Sequence, residues 1–215
     1  MAVLVTGANR GIGLGLFDHY NQTGQTVFGT SRSGDAPFLK LDVTDAAAFG
    51  RISNALNGAP IDLLICNAGV FLDKNQDLES GYTADIWTRT FATNVTGVFQ
   101  TIQTLLPNLR AAPAGKIAII SSKMASQALA PGGSYVYRAS KAAALNLGRN
   151  LAVDLKPDPI AVGIYHPGWV RTDMGGSSAD ISLEQSTNGL AKCFEALTME
   201  TTGGYFDWNG KQLPF

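Results

Sequence analysis

Short apolar runs alternate along the chain with longer segments in which apolar residues recur at helical spacing. The runs are rich in aliphatic and β-branched residues, which predicts strands at Ala2–Thr6, Thr26–Thr30, Ile61–Cys66, Lys116–Ser121, Ile160–Tyr165 and Gly204–Trp208. The periodic segments predict helices at Gly11–Thr23, Ala46–Leu56, Ala84–Leu109 and Ser134–Leu155. Strands that alternate with helices build parallel βαβ units, so the pattern predicts an α/β fold with one doubly wound parallel sheet flanked by helices.

Length and composition indicate a single globular domain and exclude several other classes of protein. The 215 residues, of which 45% are hydrophobic and 15% charged, suit one globular domain over residues 1–215 without linkers or repeats. A net charge of −1 supplies no field that favours nucleic acid or an anionic membrane as a partner. No apolar stretch is long enough for a membrane span. Cys66 and Cys193 lack disulfide or metal spacing, and Cys66 reads as a buried small hydrophobe, which favours a reducing cytoplasm.

A glycine-rich turn follows the first predicted strand. The sequence T-G-A-N-R-G-I-G places glycines at Gly7, Gly11 and Gly13, where the strand must turn into the first helix. Glycine permits positive φ and lets a pyrophosphate approach the backbone and the positive end of that helix. The spacing differs from the G-x-G-x-x-G dinucleotide motif. By itself the turn therefore fits either phosphate binding or a plain strand-to-helix connection.

Tyr137 and Lys141 are four residues apart on a predicted helix, so both side chains lie on one face. A free tyrosine, with a pKa of about 10, is a poor base at neutral pH. A nearby ammonium favours the phenolate, and we expect Lys141 to lower the pKa of Tyr137. Such a pair can protonate an alkoxide or deprotonate an alcohol. An amphipathic helix with one aromatic residue and one exposed lysine is the alternative.

Five motifs in a fixed order resemble the short-chain dehydrogenase/reductase family. They are the T-G-x-x-x-G-x-G turn, N-A-G at Asn67, the serine pair ending at Ser122, Y-x-x-x-K at Tyr137 and P-G-x-V-x-T at Pro167. The stretch HPGWVRTDMGG and the ending GGYFDWNGKQLPF are similar to the C-factor and sniffer-type carbonyl reductase branch. The resemblance implies a Rossmann fold and an NADP(H)-dependent oxidoreductase that interconverts a carbonyl and an alcohol by hydride transfer.

The resemblance also implies the catalytic roles. Tyr137 is the acid or base, and Lys141 assists it while holding the nicotinamide ribose. Ser122 polarises the substrate oxygen, although the adjacent Ser121 is a rival for this role. Asn94 is expected to hold a water that links the lysine to solvent, the alternative being a helix asparagine bonded to backbone.

The cofactor contacts implied by the resemblance come from every part of the chain. They are Gly7, Asn9, Arg10, Gly11, Ile12, Gly13, Ser31, Arg32, Asp42, Val43, Asn67, Ala68, Gly69, Tyr137, Lys141, Pro167, Gly168, Val170 and Thr172. Asp42 matches the adenine contact of the family, and its alternative is a helix cap, for which Thr44 or Asp45 is better placed.

The expected cofactor preference is NADP(H) over NAD(H). An NAD site usually has an acidic residue at the end of the second strand, where this chain has Ser31 and Arg32. Arg32 and Arg10 match the basic positions of NADP-preferring family members, and guanidinium groups bind phosphate through paired hydrogen bonds. Two solvated surface arginines are the alternative interpretation.

Three further expectations concern substrate, partners and competing functions. The substrate is a small carbonyl or alcohol, whose pocket is assigned to Lys123–Gly133, Trp169 and the loop Gly175–Ser186. The helices Ala84–Leu109 and Ser134–Leu155 have apolar residues on more than one face, which predicts a homodimer or homotetramer. No metal site is expected. A C-factor-like dinucleotide-binding signalling protein with little turnover is the competing function, and a lyase or dehalogenase of the same family is a third.

Overall fold

One seven-stranded parallel sheet forms the centre of the computed structural model, which describes residues 1–215. The strand order is β3-β2-β1-β4-β5-β6-β7, and every neighbouring pair is parallel. The strands are β1 Ala2–Val5, β2 Thr26–Ser31, β3 Leu39–Lys40, β4 Leu63–Cys66, β5 Lys116–Ile120, β6 Ala161–His166 and β7 Tyr205–Asp207. The predicted α/β fold with a doubly wound parallel sheet is confirmed, and β3 is the strand that the apolar pattern did not predict.

Six α-helices cover the sheet. They are α1 Gly11–Gln22, α2 Ala46–Leu56, α3 Ala84–Phe91, α4 Gly97–Arg110, α5 Tyr135–Asp154 and α6 Leu183–Glu195. One apolar cluster joins the sheet to α2, α4 and α5, and a second joins it to α1 and α6. Neighbouring strand residues divide between the two clusters: Leu64 belongs to the first, Leu63 and Ile65 to the second. Both faces of the sheet are therefore buried, which explains why the strands are apolar at successive positions. None of these helices has the combined length and apolar character that crossing a bilayer requires.

Two predicted segments differ from the structure by more than a residue or two at their ends. The helix predicted over Ala84–Leu109 is present, but a π-helical turn at Ala92–Thr96 separates α3 from α4. The loop predicted to run to Ser186 ends earlier, because α6 begins at Leu183. Ser182 forms a capping box there: its Oγ accepts a hydrogen bond from the Gln185 amide at 3.1 Å, and the Gln185 side chain accepts one from the Ser182 amide at 2.9 Å.

The carboxyl ends of the strands meet along one edge of the sheet. The chain leaves β1 toward β2 and β3 on one side, whereas β4 to β7 continue on the other. The crevice between the ends of β1 and β4 is consequently the switch point, where open α/β sheets bind their ligands.

Candidate active site

The glycine turn leaves the start of α1 open. Gly7 and Gly11 have φ values of +65° and +55°, in the region that favours glycine. A Cβ on Gly13 would lie 2.1 Å from the Gly7 carbonyl oxygen, so a side chain at that position would push the turn apart. Arg10 precedes the helix without capping it, and the first turn contains no acidic residue. The first amides of α1 are thus available to an anion.

The N-A-G turn after β4 is bonded to the glycine turn after β1. The Thr6 hydroxyl accepts hydrogen bonds from the Asn67 and Ala68 amides at 3.0 and 3.1 Å. In return the Asn67 side-chain amide donates to the carbonyls of Thr6 and Gly7 at 3.0 and 3.2 Å. These bonds hold the two loops together at the switch point.

A cavity of about 420 Å³ opens at this edge of the sheet. All the predicted cofactor contacts line it except Gly13, Gly168 and Val170. Tyr137 and Lys141 line it as well, whereas Asn94 and Ser122 do not. The cavity is not lined by the residues that the sequence assigns to the substrate pocket, which are Lys123–Gly133, Trp169 and Gly175–Ser186. Met174, adjacent to the last of these ranges, does line the cavity. The motifs that lie far apart in the sequence therefore converge on one cavity.

Burial dominates the electrostatics of Tyr137. Burial raises the pKa of the phenol, a hydrogen bond with the Ser122 side chain lowers it, and the charge of Asp73 raises it, which together give a pKa of about 12. The expectation that Lys141 lowers this pKa is wrong for this structure. The Lys141 Nζ lies 5.7 Å from the centre of the Tyr137 ring and donates a hydrogen bond to the Ile120 carbonyl at 2.9 Å. Burial lowers the pKa of Lys141 itself to about 8, close to neutrality.

The two adjacent serines have different partners. The Ser121 hydroxyl is buried and donates to the Lys141 carbonyl at 2.9 Å, which commits it to holding α5 against β5. The Ser122 hydroxyl accepts from the Met124 amide at 3.2 Å and is the one that contacts the phenol of Tyr137. Tyr205, on β7, donates a hydrogen bond to the Ser122 carbonyl. The contact with Tyr137 favours Ser122 for a hydroxyl that acts beside the phenol, whereas Ser121 is the one of the two that lines the cavity.

Asn94 lies buried in the π-helical turn. Its carbonyl oxygen accepts from the Val70 amide at 2.8 Å, and its NH₂ donates to the Val70 carbonyl at 2.9 Å and to the Ser140 hydroxyl at 3.0 Å. The side chain thereby ties the segment after β4 to α5. The water expected beside Asn94 stays a prediction.

Basic and polar residues line the far end of the cavity. Arg32 is exposed there, and the end of β2 offers no acidic side chain. Arg10 is also exposed and lies 3.3 Å from Asp173, an ion pair that solvent weakens. Asp42 accepts hydrogen bonds from the Thr44 amide and hydroxyl at 2.9 and 2.7 Å through one oxygen, while Asp45 caps α2 as expected.

The P-G-W-V-R-T stretch folds back over the glycine turn. Pro167 accepts a hydrogen bond from the buried Ser186 hydroxyl at 2.6 Å, which anchors the stretch to α6. Gly168 has a φ of +87° in the sharp turn that follows. The methyl group of Thr172 lies 3.7 Å from the position of a Cβ on Gly11. Pro167 and Thr172 both line the cavity.

Sequence reasoning missed several residues of this site. Phe71 stacks on the Tyr137 ring, with centroids 4.1 Å apart and planes at 17°. Asp73 is fully buried beneath the start of α5, and Arg89 and Thr93 of α3 and the π-helical turn line the cavity. No local pattern marks Phe71 or Asp73, because each acts on a helix more than sixty residues later in the chain. No group of His, Cys, Asp or Glu side chains is arranged to hold a metal ion.

Comparison with known proteins agrees with this arrangement. A sequence model of the short chain dehydrogenase family matches residues 1–181. The C-signal protein of Myxococcus xanthus is 36% identical over 159 residues, which cover 73% of this chain and 93% of that protein.

Solved structures are similar over the whole chain. The NADPH-bound carbonyl reductase from chicken fatty liver superposes with a TM-score of 0.90 at 29% identity, covering 100% of this chain and 98% of the other. The carbonyl reductase Sniffer of Drosophila melanogaster gives a TM-score of 0.90 at 28% identity and covers 100% and 99% of the two chains. The chain therefore belongs to the short-chain dehydrogenase family of oxidoreductases, and within it resembles the sniffer and C-signal branch.

Proposed function

We propose that this chain is an NADP(H)-dependent oxidoreductase that reduces a ketone or aldehyde to an alcohol and catalyses the reverse, within the single domain 1–215. The observation that carries the proposal is the convergence of Tyr137, Lys141 and the open start of α1 on one cavity. The NADPH bound to the carbonyl reductase from chicken liver supports the choice of cofactor.

The residues of the cavity fit a dinucleotide phosphate. The uncapped first turn of α1, without an acidic residue, suits the pyrophosphate. Gly13 has no side chain, and Gly7 and Gly11 adopt positive φ, so a pyrophosphate can come close to the backbone of the turn. Arg32 and Arg10 are exposed at the adenosine end, where a 2′-phosphate requires cationic partners. When bound, the cofactor supplies the hydride.

The chain's own residues handle the proton. With a pKa of about 12, Tyr137 is protonated at neutral pH and can donate to the carbonyl oxygen as that oxygen gains charge. The Ser122 hydroxyl, beside the phenol, stabilises the same oxygen. Lys141, with a pKa of about 8, can return a proton to Tyr137 at little cost and also hold the ribose. In the alcohol-oxidising direction Tyr137 must first give up its own proton, because its pKa of about 12 keeps it protonated at neutral pH, and the phenolate then accepts the proton of the substrate hydroxyl.

A signalling protein that binds the dinucleotide with little turnover is the second candidate, and the likeness to C-signal favours it. The two functions differ in one measurable property, the rate of NADPH oxidation. A panel of aldehydes, diketones and quinones with purified protein separates them.

Tyr137→Phe is the first test of the catalytic assignment. The ring still packs on Phe71 but the proton donor is gone, so turnover should nearly vanish while NADPH binds with close to normal affinity. Tyr135→Phe, two residues earlier and exposed, is the matched control and should keep the wild-type rate. Lys141→Ala should reduce both turnover and cofactor affinity. If Tyr137→Phe keeps more than about a tenth of the rate, a loss below ~1.4 kcal/mol, Tyr137 is not the acid.

Arg32→Ala tests the cofactor preference. A charge-assisted contact with phosphate contributes roughly 1.5–3 kcal/mol, so the variant should bind NADPH more than tenfold more weakly and NADH almost unchanged. Arg51→Ala on α2, where Arg51 pairs with Asp45 away from the cavity, is the control. Isothermal titration with both dinucleotides measures the change. Equal losses for both cofactors, or a wild-type preference for NADH, would remove Arg32 from the phosphate site.

A further inference from the structure

The helix that carries Tyr137 lacks a cap of its own. Gly132, Gly133 and Ser134 have φ values of +89°, +68° and +48°, so the chain enters α5 through three left-handed residues. Ser134 stands at the N-cap position, but its side chain makes no capping hydrogen bond. The first amides of a helix need acceptors when they are buried. The local sequence supplies none here.

Asp73 supplies the missing acceptor from another part of the chain. Its carboxylate accepts from the Val136 amide at 2.8 Å and from the Tyr137 amide at 3.2 Å through both oxygens. These are the second and third residues of α5, the amides that an N-cap side chain normally binds. Asp73 is 0% exposed and forms no salt bridge, so the helix amides are its partners. The positive end of the helix favours an anion in this place.

The segment Val70–Asp73 is fixed at both ends. Asn94 bonds to both the amide and the carbonyl of Val70, and Asp73 is bonded to α5. Between them, Phe71 stacks on the Tyr137 ring with centroids 4.1 Å apart, and Leu72 lines the cavity. The backbone amide of Tyr137 and the face of its ring are therefore both held by this one segment.

We propose that Asp73 is a positioning residue for the reaction, which holds the backbone of Tyr137 in place and keeps a buried negative charge 3.2 Å from the amide of this tyrosine. The inference rests on the proposed role of Tyr137 as the acid. A carboxylate near the phenol disfavours the phenolate, and the charge of Asp73 does raise the pKa of Tyr137. The same group thus sets both the location of the proton donor and the pH range in which it retains its proton.

Two substitutions separate position from charge. Asp73→Asn keeps a carbonyl acceptor for the amides but removes the charge. Its kcat with NADPH and 9,10-phenanthrenequinone should stay within about tenfold of wild type, because the backbone of Tyr137 is still held. Asp73→Ala removes both acceptors and should lose more than about tenfold in kcat, with a nearly unchanged Kd for NADPH.

Asp77→Asn is the matched control, since Asp77 lies in the same loop but bonds only within it. Its kcat and its tyrosine titration should be those of wild type.

A second readout does not depend on turnover. Phenolate absorbance is titrated without cofactor in wild type and in Asp73→Asn, each with and without Tyr137→Phe. The difference within each pair isolates Tyr137 from the other five tyrosines of the chain. Tyr137 should ionise at lower pH in Asp73→Asn than in wild type. An unmoved titration of Tyr137 would overturn the proposal, as would a folded Asp73→Ala with wild-type kcat. A wild-type protein without turnover would instead reject the proposed function, and the titration would still decide the role of Asp73. If Asp73→Ala does not fold, the Asp73→Asn titration decides alone.

Discussion

At the scale of single residues, burial has more influence on the site than charge pairing. Spacing on a helix correctly places Tyr137 and Lys141 on one face, and both line the cavity. It does not reveal that Lys141 bonds to the Ile120 carbonyl, or that burial shifts the two pKa values toward the neutral forms. Burial depends on residues brought in from other strands and loops. The role of Asp73 could not be predicted from the sequence for the same reason: its hydrogen-bond partners lie on α5, far along the chain.

The two serines give a prediction at this scale. Ser122→Ala should lower kcat about 100-fold, since it removes a hydroxyl that we propose at the reacting oxygen, and it should cost some stability because the Met124 amide loses its acceptor. Ser121→Ala should leave kcat nearly unchanged and lower the free energy of unfolding by about 1–3 kcal/mol, because the buried Lys141 carbonyl loses its hydroxyl donor. Steady-state kinetics and urea denaturation of both variants measure the difference. The reverse pattern would assign catalysis to Ser121.

At the scale of elements, period and turn chemistry account for most of the fold. The strands β1, β2, β4, β5, β6 and β7 all lie within a residue or two of the predicted runs, because parallel strands buried on both faces are continuously apolar. β3 lies at the sheet edge, where its two residues, Leu39 and Lys40, pair with Thr30 and Ser31. A strand of two residues is too short to show a pattern of apolar positions in the sequence. The π-helical turn at Ala92–Thr96 interrupts a segment that the apolar pattern predicts as one helix.

The packing of α5 on the sheet gives the prediction for elements. A Cβ on Gly148 would lie 2.6 Å from Ile164 Cγ1 and 3.0 Å from Ile119 Cδ1, so the helix rests directly on β5 and β6. Gly148→Ala should lower the free energy of unfolding by about 1–3 kcal/mol and also reduce kcat, since it pushes the helix that bears Tyr137 away from Ser122. Gly50, exposed within α2, has no atom within 4 Å of such a Cβ.

Gly50→Ala is consequently the matched control, for which we expect the opposite change in the free energy of unfolding. Alanine is favoured over glycine inside a helix, and the substitution should stabilise the protein by about 0.5–1 kcal/mol without changing kcat. Thermal and urea unfolding compare the two variants. Equal effects of the two substitutions would mean that helix propensity, rather than contact with the sheet, decides the outcome at Gly148.

At the scale of the whole molecule, the outer surfaces of α3, α4 and α5 remain partly apolar after the sheet has been covered. Trp87 is 37% exposed and stacks on Phe91, Phe99 is 39% exposed, and Val153 is 62% exposed. The sequence predicts association through these helices from their apolar residues, and exposed apolar patches on a folded protein commonly bind a second copy. A two-fold pair would bury the patch on both chains at once.

Phe99→Asp tests this association. A carboxylate at the centre of an apolar interface between identical chains would meet its own copy or an apolar surface, and burying it without a partner is costly. Light scattering at micromolar concentration should give the mass of two or four chains for wild type and of one chain for Phe99→Asp. Met199→Asp, which places the same charge at a residue 37% exposed in the loop after α6, should keep the wild-type mass. Because Tyr137 and the cavity lie at the sheet edge within one chain, the monomeric variant should still bind NADPH. A wild-type monomer would refute the association, and a dimer that survives Phe99→Asp would move the interface away from α4.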